Sequence, residues 1–549
     1  MTAASPRPFR RAPSAPTHPR RWRRRAGVRI VRALLVALLV LLAAGVAIRL
    51  LNPLPPLEGR TESRAFRDTG GTPLGRAVAP AVTANPGLSG VHLLTVGRSA
   101  FAARVHLART ARRSLDLQYY IWHADLSGSL LFDEVRRAAD RGVRVRLLLD
   151  DNSTSGLDPT MAALDGHPNI EVRLFNPFVL RSPRFVGYLT DFRRLNRRMH
   201  NKSFTADNQA TIIGGRNVGD EYFAAGEGAL FEDVDLIAVG PVVSDVSASF
   251  DRYWASGSAY PADRILPQGA GEADVAADAR RAGRDRRAAA YLRAVAASDY
   301  ARALLQRRLA FEWAPTRMAA DDPAKGLGEA APEAFLWPRL TGLLGRPRRE
   351  LRLVSGYFVP TAAGVAAFTR MARDGVDVAI VTNSFEATDV PIVHAGYAKW
   401  RTELLEAGVR LYEMRGTPGD DGVERNVTAL GSTGSGARGV GTALHAKTFA
   451  VDGARLFIGS FNFDPRSANL NTELGFVIES PALARRMDGA LGRFASRRTY
   501  RLALAGDGRL RWIEGTGERA VAHDVEPGTS WGQRAAVAAL SHLPIEWLL

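Results

Sequence analysis

Two short segments of the chain repeat one arrangement of chemically reactive residues. A His-x-Lys-x4-Asp spacing occurs twice, at His200, Lys202 and Asp207 and again at His445, Lys447 and Asp452. The chain of 549 residues contains only four lysines, and two of them belong to these segments. A chance match is therefore a poor explanation for the repeat.

The chemistry that this spacing favours takes place on a phosphate ester. Residues i and i+2 of a strand point to the same face, so each histidine and its lysine can address one phosphate. One imidazole must be neutral to attack phosphorus, while the other must be protonated to release the alcohol and must later deprotonate the acceptor. A carboxylate should orient each imidazole through its other nitrogen.

Two similar α/β units are predicted to position these residues. Residues 112–122 are echoed by 348–358, and residues 139–152 by 372–384. In each copy a β-rich run leads to a helical segment, a glycine turn and an apolar run, which is the strand–helix–strand pattern of a covered parallel sheet. The chain is therefore predicted to form two related α/β halves.

The domain organisation follows from the duplication and from shifts in composition. At 549 residues the chain exceeds the roughly 250–300 residues at which a single core stops growing. We predict five parts, which are a basic tail with a membrane anchor or signal peptide at 1–55, a first half at 60–265, a helical connector at 266–335, a second half at 336–500 and a C-terminal extension at 501–549.

Composition excludes several classes of protein. With 46% apolar and 23% charged residues the chain is neither wholly disordered nor collagen-like. The absence of cysteine excludes disulfides, a thiolate nucleophile and cysteine-ligated iron–sulfur clusters. The net charge of +17 suggests an anionic partner, but ten arginines and no acidic residue lie in the first 32 positions.

The N-terminus is predicted to anchor the chain in a membrane. Residues 33–48 are uncharged, and the stretch 28–51 is long enough to cross a hydrocarbon core of roughly 30 Å if its flanking arginines reach the interface. A cleaved signal peptide is the alternative, because Gly45-Val46-Ala47 resembles a cleavage site. The preceding arginines should stay in the cytoplasm, which would place the remainder on the outer face.

The two motifs and their companions resemble a known superfamily. GGRN at 214–217 and GSFN at 459–462 follow the histidines, and together they resemble the phospholipase D signature over roughly residues 60–500. RRLNRRMHNK, VGDEYF and FDPRSANLNTE resemble the bacterial cardiolipin synthase branch, particularly its type C members. The resemblance implies two phospholipase D-like halves related by a pseudo-twofold axis, one active site between them, a phosphohistidine intermediate, no metal and no cofactor.

The resemblance also implies roles for the repeated residues. His200 would be the nucleophile and His445 the general acid and base, although symmetry leaves the reverse assignment open. Lys202 and Lys447 would neutralise the non-bridging oxygens of the phosphate. Asp207 and Asp452 complete the catalytic set, with a structural role at a strand end as the alternative.

Five further residues are predicted to support this set, namely Asn217, Ser460, Asn462, Glu473 and Asp233. The asparagines and the serine would add neutral hydrogen-bond donors. Glu473 is expected to orient His445, and Asp233 is expected to orient His200 with Asp235 as its competitor.

One segment suggests contact with lipid. Residues 178–200 interleave aromatic residues and arginines and end at His200, so that aromatic rings could enter the interface while arginines hold phosphates. An amphipathic helix packed on the core is the alternative.

The leading hypothesis is a phosphatidyltransferase of the bacterial inner membrane that makes cardiolipin. Its substrates would be phosphatidylglycerol and a second phospholipid, for which phosphatidylethanolamine is a candidate, and nucleic acid is not an expected partner. A phospholipase D-type hydrolase or an exported phosphodiesterase or nuclease is the alternative function.

Overall fold

The computed structural model describes residues 20–225, 230–267, 274–284, 286–306, 308–416 and 442–549. The first 19 residues of the predicted basic tail lie outside this part of the chain. Two large mixed sheets with helices on their faces form the body of the protein, and a third sheet of two strands joins them.

The first half follows a long N-terminal helix, α1 (Arg20–Leu51). The helices of the first half are α2 (Pro73–Ala84), α3 (Gly97–Thr110), α4 (Leu126–Asp140), α5 (Asp158–Asp165), α6 (Phe185–Thr190), α7 (Phe192–Leu195), α8 (Asp220–Phe223) and α9 (Val242–Trp254). Its strands are β1 (Ser89–Leu94), β2 (Ser114–Ile121), β3 (Arg144–Ser153), β4 (Ile170–Phe175), β5 (Ser203–Ala206), β6 (Ala210–Gly214), β7 (Phe231–Glu232), β8 (Asp235–Val239) and β9 (Ala259–Pro261).

The middle of the chain contains α10 (Val275–Gly283), α11 (Arg286–Ala296), α12 (Asp299–Leu305), β10 (Glu312–Ala314) and β11 (Thr316–Ala320). The strands that follow are β12 (Glu350–Ser355), β13 (Asp377–Asn383), β14 (Arg410–Met414), β15 (Ala443–Leu444), β16 (Lys447–Val451), β17 (Arg455–Gly459), β18 (Leu474–Glu479), β19 (Thr499–Leu504), β20 (Leu510–Glu514) and β21 (Val521–His523). The helices are α13 (Leu336–Leu344), α14 (Thr361–Arg373), α15 (Pro391–Ala398), α16 (Arg401–Glu406), α17 (Pro465–Asn469), α18 (Pro481–Arg498) and α19 (Trp531–Ser541).

The two large sheets repeat one strand order. The first runs β10-β1-β8-β6-β5-β2-β3-β4-β9, and the second runs β11-β18-β17-β16-β12-β13-β14-β19-β20-β21. Eight consecutive positions therefore correspond: β1-β8-β6-β5-β2-β3-β4-β9 in the first sheet matches β11-β18-β17-β16-β12-β13-β14-β19 in the second. The predicted duplication is confirmed in the fold.

The apolar runs become central strands because helices cover them. β2 pairs in parallel with β3, so that Leu115 lies opposite Val145, and both side chains join the core beneath α3 and α4. Arg146 interrupts the apolar run of β3. It is tolerated because its buried guanidinium pairs with Asp116 and Asp251.

The halves share an apolar core. Val91, Ile213 and Leu236 of the first sheet pack in one cluster with Ile458 and Phe476 of the second. The packing of the two sheets against each other therefore joins the halves.

The predicted connector and C-terminal extension both contribute to the sheets. The predicted helical connector, 266–335, contains α10, α11 and α12, and in addition β10 lies at the edge of the first sheet and β11 at the edge of the second. The segment 501–549 adds β20 and β21 to the second sheet, and β19 begins just before it.

The N-terminal helix is long and apolar enough to cross a membrane. Its apolar stretch Val31–Leu51 has 21 residues and a mean hydropathy of 2.8, and no residue of it is fully buried. This is the N-terminal apolar helix that the sequence predicts.

Candidate active site

The two repeated histidines lie directly before matching central strands. His200 precedes β5 and His445 precedes β16, and both side chains are buried. Each strand is hydrogen-bonded on both sides, β5 between β2 and β6 and β16 between β12 and β17. The sheets therefore fix the position of both imidazoles.

Each imidazole is oriented by a carboxylate from the opposite half. The Nδ1 atom of His200 lies 2.9 Å from a carboxylate oxygen of Glu473. The Nδ1 atom of His445 lies 2.6 Å from Asp233. The predicted assignment, in which Glu473 serves His445 and Asp233 serves His200, is therefore wrong. Asp235, the predicted competitor, instead pairs with Arg104.

The exchange of partners has a cause in the backbone. The amide of His200 donates to the carbonyl of Thr472, the residue before Glu473, at 2.9 Å. The amide of His445 donates to the carbonyl of Glu232 at 2.9 Å, beside the parallel pair β7 and β15. Each histidine segment thus lies along the segment of the other half that carries a carboxylate. The sequence contains both carboxylates but no signal for this crossing.

Burial sets the electrostatics of the pairs. Desolvation, together with the neighbouring lysines, holds the pKa of His200 and that of His445 well below the usual value of 6.5. Desolvation raises the pKa of Glu473 to about 7 and that of Asp233 above its usual range. The site without substrate therefore favours neutral imidazoles, the form that can attack phosphorus.

The two lysines are buried beside the histidines. Lys202 Nζ donates to the carbonyl of His200 at 2.5 Å, and Lys447 Nζ donates to the carbonyl of His445. Desolvation lowers the pKa of both ammonium groups. A bound phosphate would reverse this effect, because its negative charge favours the protonated forms of lysine and histidine.

The predicted supporting residues divide into three kinds. Ser460 Oγ donates to Glu473 at 2.5 Å, so it orients the carboxylate instead of facing a phosphate. Asn217 is held by the fold, since its Oδ1 accepts from Ile121 N and its Nδ2 donates to Tyr222 Oη at 3.0 Å. Asn462 differs, because its buried Oδ1 has no partner within the described residues.

The structure does not bring the motif aspartates to the histidines. Asp207 accepts from the amides of Arg112, Arg113 and Ser114, at the start of β2. Asp452 makes the equivalent bonds to three amides at the start of β12. Each lies at the far end of its strand, about 16 Å along the chain from the motif lysine. These contacts correspond to the structural alternative.

A buried ion pair fixes the segment that leads to His200. Asp150 accepts from Arg198 Nε at 2.9 Å and from the amide of Met199 at 2.7 Å. Asp151, the next residue, pairs with Arg181. The end of β3 therefore positions the histidine segment through ion pairs.

Aromatic rings surround the imidazoles, and sequence reasoning did not include them in the site. The ring centroid of Tyr120 lies 5.0 Å from that of His200. Those of Tyr222 and Phe231 lie 5.4 and 5.1 Å from that of His445. Their positions near the ends of strands and in the VGDEYF segment are the only signals in the sequence.

The basic residues near the site are mostly engaged by the protein. Arg181 and Arg184 both pair with Asp158, and Arg194 pairs with Asp191. The expectation that the arginines of 178–200 hold phosphates is therefore wrong for these side chains. The ring of Phe178 is also buried in the core.

Comparison with known proteins identifies the family to which the chain belongs. The chain matches the family described as "Cardiolipin synthase, PLD-like domain" over residues 105–254 and 340–494. It is 48% identical over 477 residues to cardiolipin synthase C of Escherichia coli (strain K12), covering 87% of this chain and 99% of that protein. It is 27% identical over 412 residues to cardiolipin synthase A of Pseudomonas fluorescens (strain SBW25), covering 73% and 67%.

A solved structure shares the fold. The crystal structure of phosphatidylserine synthase from Haemophilus influenzae Rd KW20 superposes with a TM-score of 0.52 at 12% identity, covering 86% of this chain and 100% of that chain. Two α/β halves with one paired-histidine site define a phospholipase D-like enzyme. The chain belongs to the PLD-like cardiolipin synthase family, as its sequence motifs predict. With its N-terminal apolar helix, this membership indicates a protein of the inner membrane.

Proposed function

We propose that the chain transfers a phosphatidyl group to phosphatidylglycerol and so makes cardiolipin. The observation that carries the proposal is the pair of imidazole–carboxylate contacts between the halves of a chain 48% identical to a cardiolipin synthase C. The donor is a second phospholipid, either phosphatidylglycerol or phosphatidylethanolamine.

The first step forms a covalent intermediate. The Nδ1–H of neutral His200 donates a hydrogen bond to Glu473, so that the lone pair lies on Nε2 and can attack the phosphorus of the donor. The bond from phosphorus to the headgroup oxygen breaks, and that oxygen takes a proton from Nε2 of His445, whose protonated form the negative charge of the bound phosphate favours. The leaving alcohol is glycerol or ethanolamine, depending on the donor.

The second step transfers the phosphatidyl group. His445 Nε2 takes the proton of the glycerol hydroxyl of phosphatidylglycerol, whose oxygen attacks phosphorus while the bond from phosphorus to His200 breaks. Asp233 holds the other nitrogen of His445 through both steps. This assignment of the histidines follows the family resemblance, and the near symmetry of the site supports the reverse chemistry equally well.

The buried lysines stabilise the charge on phosphorus. The expected strand does not include the histidines, since Lys202 lies just before β5 and Lys447 begins β16, each two residues after its histidine. Both ammonium groups are buried there, where they can contact the non-bridging oxygens. In a site closed from water each such donor contributes about 3–4 kcal/mol in the transition state. Asn462, whose buried Oδ1 has no partner within the described residues, is the candidate for an additional neutral amide at the site.

Transfer requires that an alcohol replaces water as the acceptor. Because both histidines are buried, water has restricted access to them. An anchored chain also keeps its site beside phosphatidylglycerol, which is confined to the membrane surface. We further propose that the arginines at the N-terminal end of the chain, most of which lie in the first turns of α1, hold the N-terminus in the cytoplasm, so that the halves lie on the outer face.

The test uses the full-length protein in bilayers of phosphatidylglycerol and phosphatidylethanolamine, with distinct isotope labels in the two headgroups. Mass spectrometry should detect cardiolipin in excess of phosphatidic acid, and the released alcohol identifies the donor. His200→Asn should abolish both products, while His542→Asn at an exposed position should retain them. Phosphatidic acid as the dominant product would contradict the synthase proposal and favour a hydrolase.

A further inference from the structure

The short helix α6 has two faces of opposite character. Its inner face packs on the core, since a Cβ atom on Gly187 would lie 2.9 Å from side-chain atoms of both Leu195 and Phe178. The outer face carries Phe185 and Leu189, one helical turn apart, with 65% and 77% of their surface exposed. Large apolar side chains with this exposure indicate an interaction surface.

This outer face continues the surface of the apolar N-terminal helix. The last turn of α1 lies against α6, across a cleft of about 290 Å³ that Ile48, Leu50 and Leu180 help to line. Leu50 and Leu51 are themselves exposed. Phe192, at the start of α7, is 44% exposed and is followed by the exposed Arg193. An apolar surface with a basic residue beside it therefore extends from α1 along the segment 185–192.

The same helix is connected to the candidate site. Tyr188 Oη donates to Asn152 Oδ1, and Asn152 Nδ2 donates to Tyr120 Oη at 3.3 Å. The ring of Tyr120 packs edge-on against His200, with 5.0 Å between centroids. Only two side chains thus separate α6 from the proposed nucleophile.

We propose that Phe185, Leu189 and Phe192 insert into the leaflet from which α1 emerges, so that the candidate active site opens at the level of the lipid headgroups. An apolar face of this kind enters the boundary between headgroups and acyl chains by about 5–10 Å. Continuity with α1 is the reason to assign this surface to lipid instead of to a protein partner, because α1 has no other solvent in which its apolar side chains are stable. The membrane contact stands on its own geometry, while its use in delivering substrate rests on the proposed function.

The chain has no cysteine, so a single label can report the depth of this surface. A nitroxide on Leu189→Cys, in the full-length protein reconstituted in phosphatidylglycerol and phosphatidylethanolamine bilayers, should collide with oxygen in preference to a water-soluble nickel complex. The matched control is Leu305→Cys on α12, where the native side chain is 81% exposed, and its label should prefer nickel. Equal nickel access at both labels would overturn the proposal. Exclusion of both reagents at Leu189 would also overturn it, because a protein would then cover the surface.

Activity provides a second test. Leu189→Asp should lower turnover of vesicle lipid by about tenfold, which is the effect of losing the burial of one large apolar side chain. It should leave turnover of short-chain phosphatidylglycerol in solution unchanged, and Leu305→Asp should change neither. An equal loss on both substrates would overturn the membrane role. If the wild type turns over neither substrate, the proposed function fails, while the nitroxide depths still decide the membrane contact.

Discussion

At the scale of single residues, the site depends on histidine–carboxylate pairs whose two members come from different halves of the chain. Glu473 belongs to the second half and orients the histidine of the first, and two serines hold its carboxylate in turn. The motif predicts which residues meet, because histidine, lysine and carboxylate are the groups that phosphate chemistry needs. It does not predict which carboxylate meets which histidine, because that choice depends on how the halves pack.

Replacement of Glu473 tests the crossed pairing directly. Glu473→Gln removes the negative charge beside His200 and replaces one acceptor oxygen with an NH2 donor, which can hold the wrong tautomer, so formation of the phosphoenzyme should slow by a factor on the order of 10²–10⁴. Rapid-quench kinetics with a labelled donor measure the rate of this step. Glu479→Gln, at the exposed end of β18, the strand that begins just after Glu473, is the matched control and should behave like the wild type. An unchanged rate in Glu473→Gln would contradict the assignment.

The raised pKa of Glu473 predicts how stability depends on pH. In the folded chain burial raises this pKa to about 7 from the usual 4.5, so between these values the folded state keeps a proton that the unfolded state releases. This carboxyl group therefore makes the chain less stable as the pH rises through that range. The melting temperature of Glu473→Gln in detergent, relative to the wild type, should rise between about pH 4.5 and 7. A constant difference would contradict the raised pKa.

At the scale of elements, hydrogen bonds at the strand ends account for the shared geometry of the two halves, and these bonds have no part in the reaction. Asp207 and Asp452 each adopt a left-handed backbone conformation, with φ of 50° and 54°, and each holds the amides that open the neighbouring strand. The equivalent bonds in both halves keep β5 beside β2 and β16 beside β12. The motif lysines are positioned at the other end of these strands.

The two aspartates should therefore affect stability more than chemistry. Asp207→Asn should lower the free energy of unfolding by about 1.5–3 kcal/mol, because it weakens hydrogen bonds to a buried charge. Asp452→Asn should cost less, since this carboxylate is more exposed. Melting temperature and turnover per folded molecule are the two measurements. A large loss of turnover at unchanged stability would show that the catalytic interpretation of these residues is right.

At the scale of the whole molecule, the anchor and the charge before it predict a topology. Ten arginines in the first 32 residues should hold the N-terminus in the cytoplasm. Protease added outside spheroplasts should then digest the catalytic halves, with a cytoplasmic protein of the same cells as the protected control. Full protection of the halves from the protease would show that they lie in the cytoplasm and would contradict the predicted orientation.

Sequence reasoning succeeded where local pattern determines structure. The apolar runs before Asp150 and Asn383, repeated with a glycine turn before each, predict the central strands and the two α/β halves. It failed where distant segments meet. Strands β10 and β11 in the connector, and β20 and β21 in the extension, were not predicted, because short strands have no strong periodicity of their own. Arg181 and Arg184 were misassigned, since their carboxylate partners, Asp151 and Asp158, come from β3 and α5.

The measurement that tests the central claim most directly is the position of the covalent intermediate. Purified protein is given a phosphatidyl donor with a good leaving group, quenched in base, and mapped by mass spectrometry for phosphatidylated histidine. The account predicts an acid-labile adduct on His200 in His445→Ala and no adduct in His200→Ala. An adduct only in His200→Ala, carried by His445, would reverse the roles of the two histidines. No adduct in either variant or in the wild type would contradict the covalent mechanism.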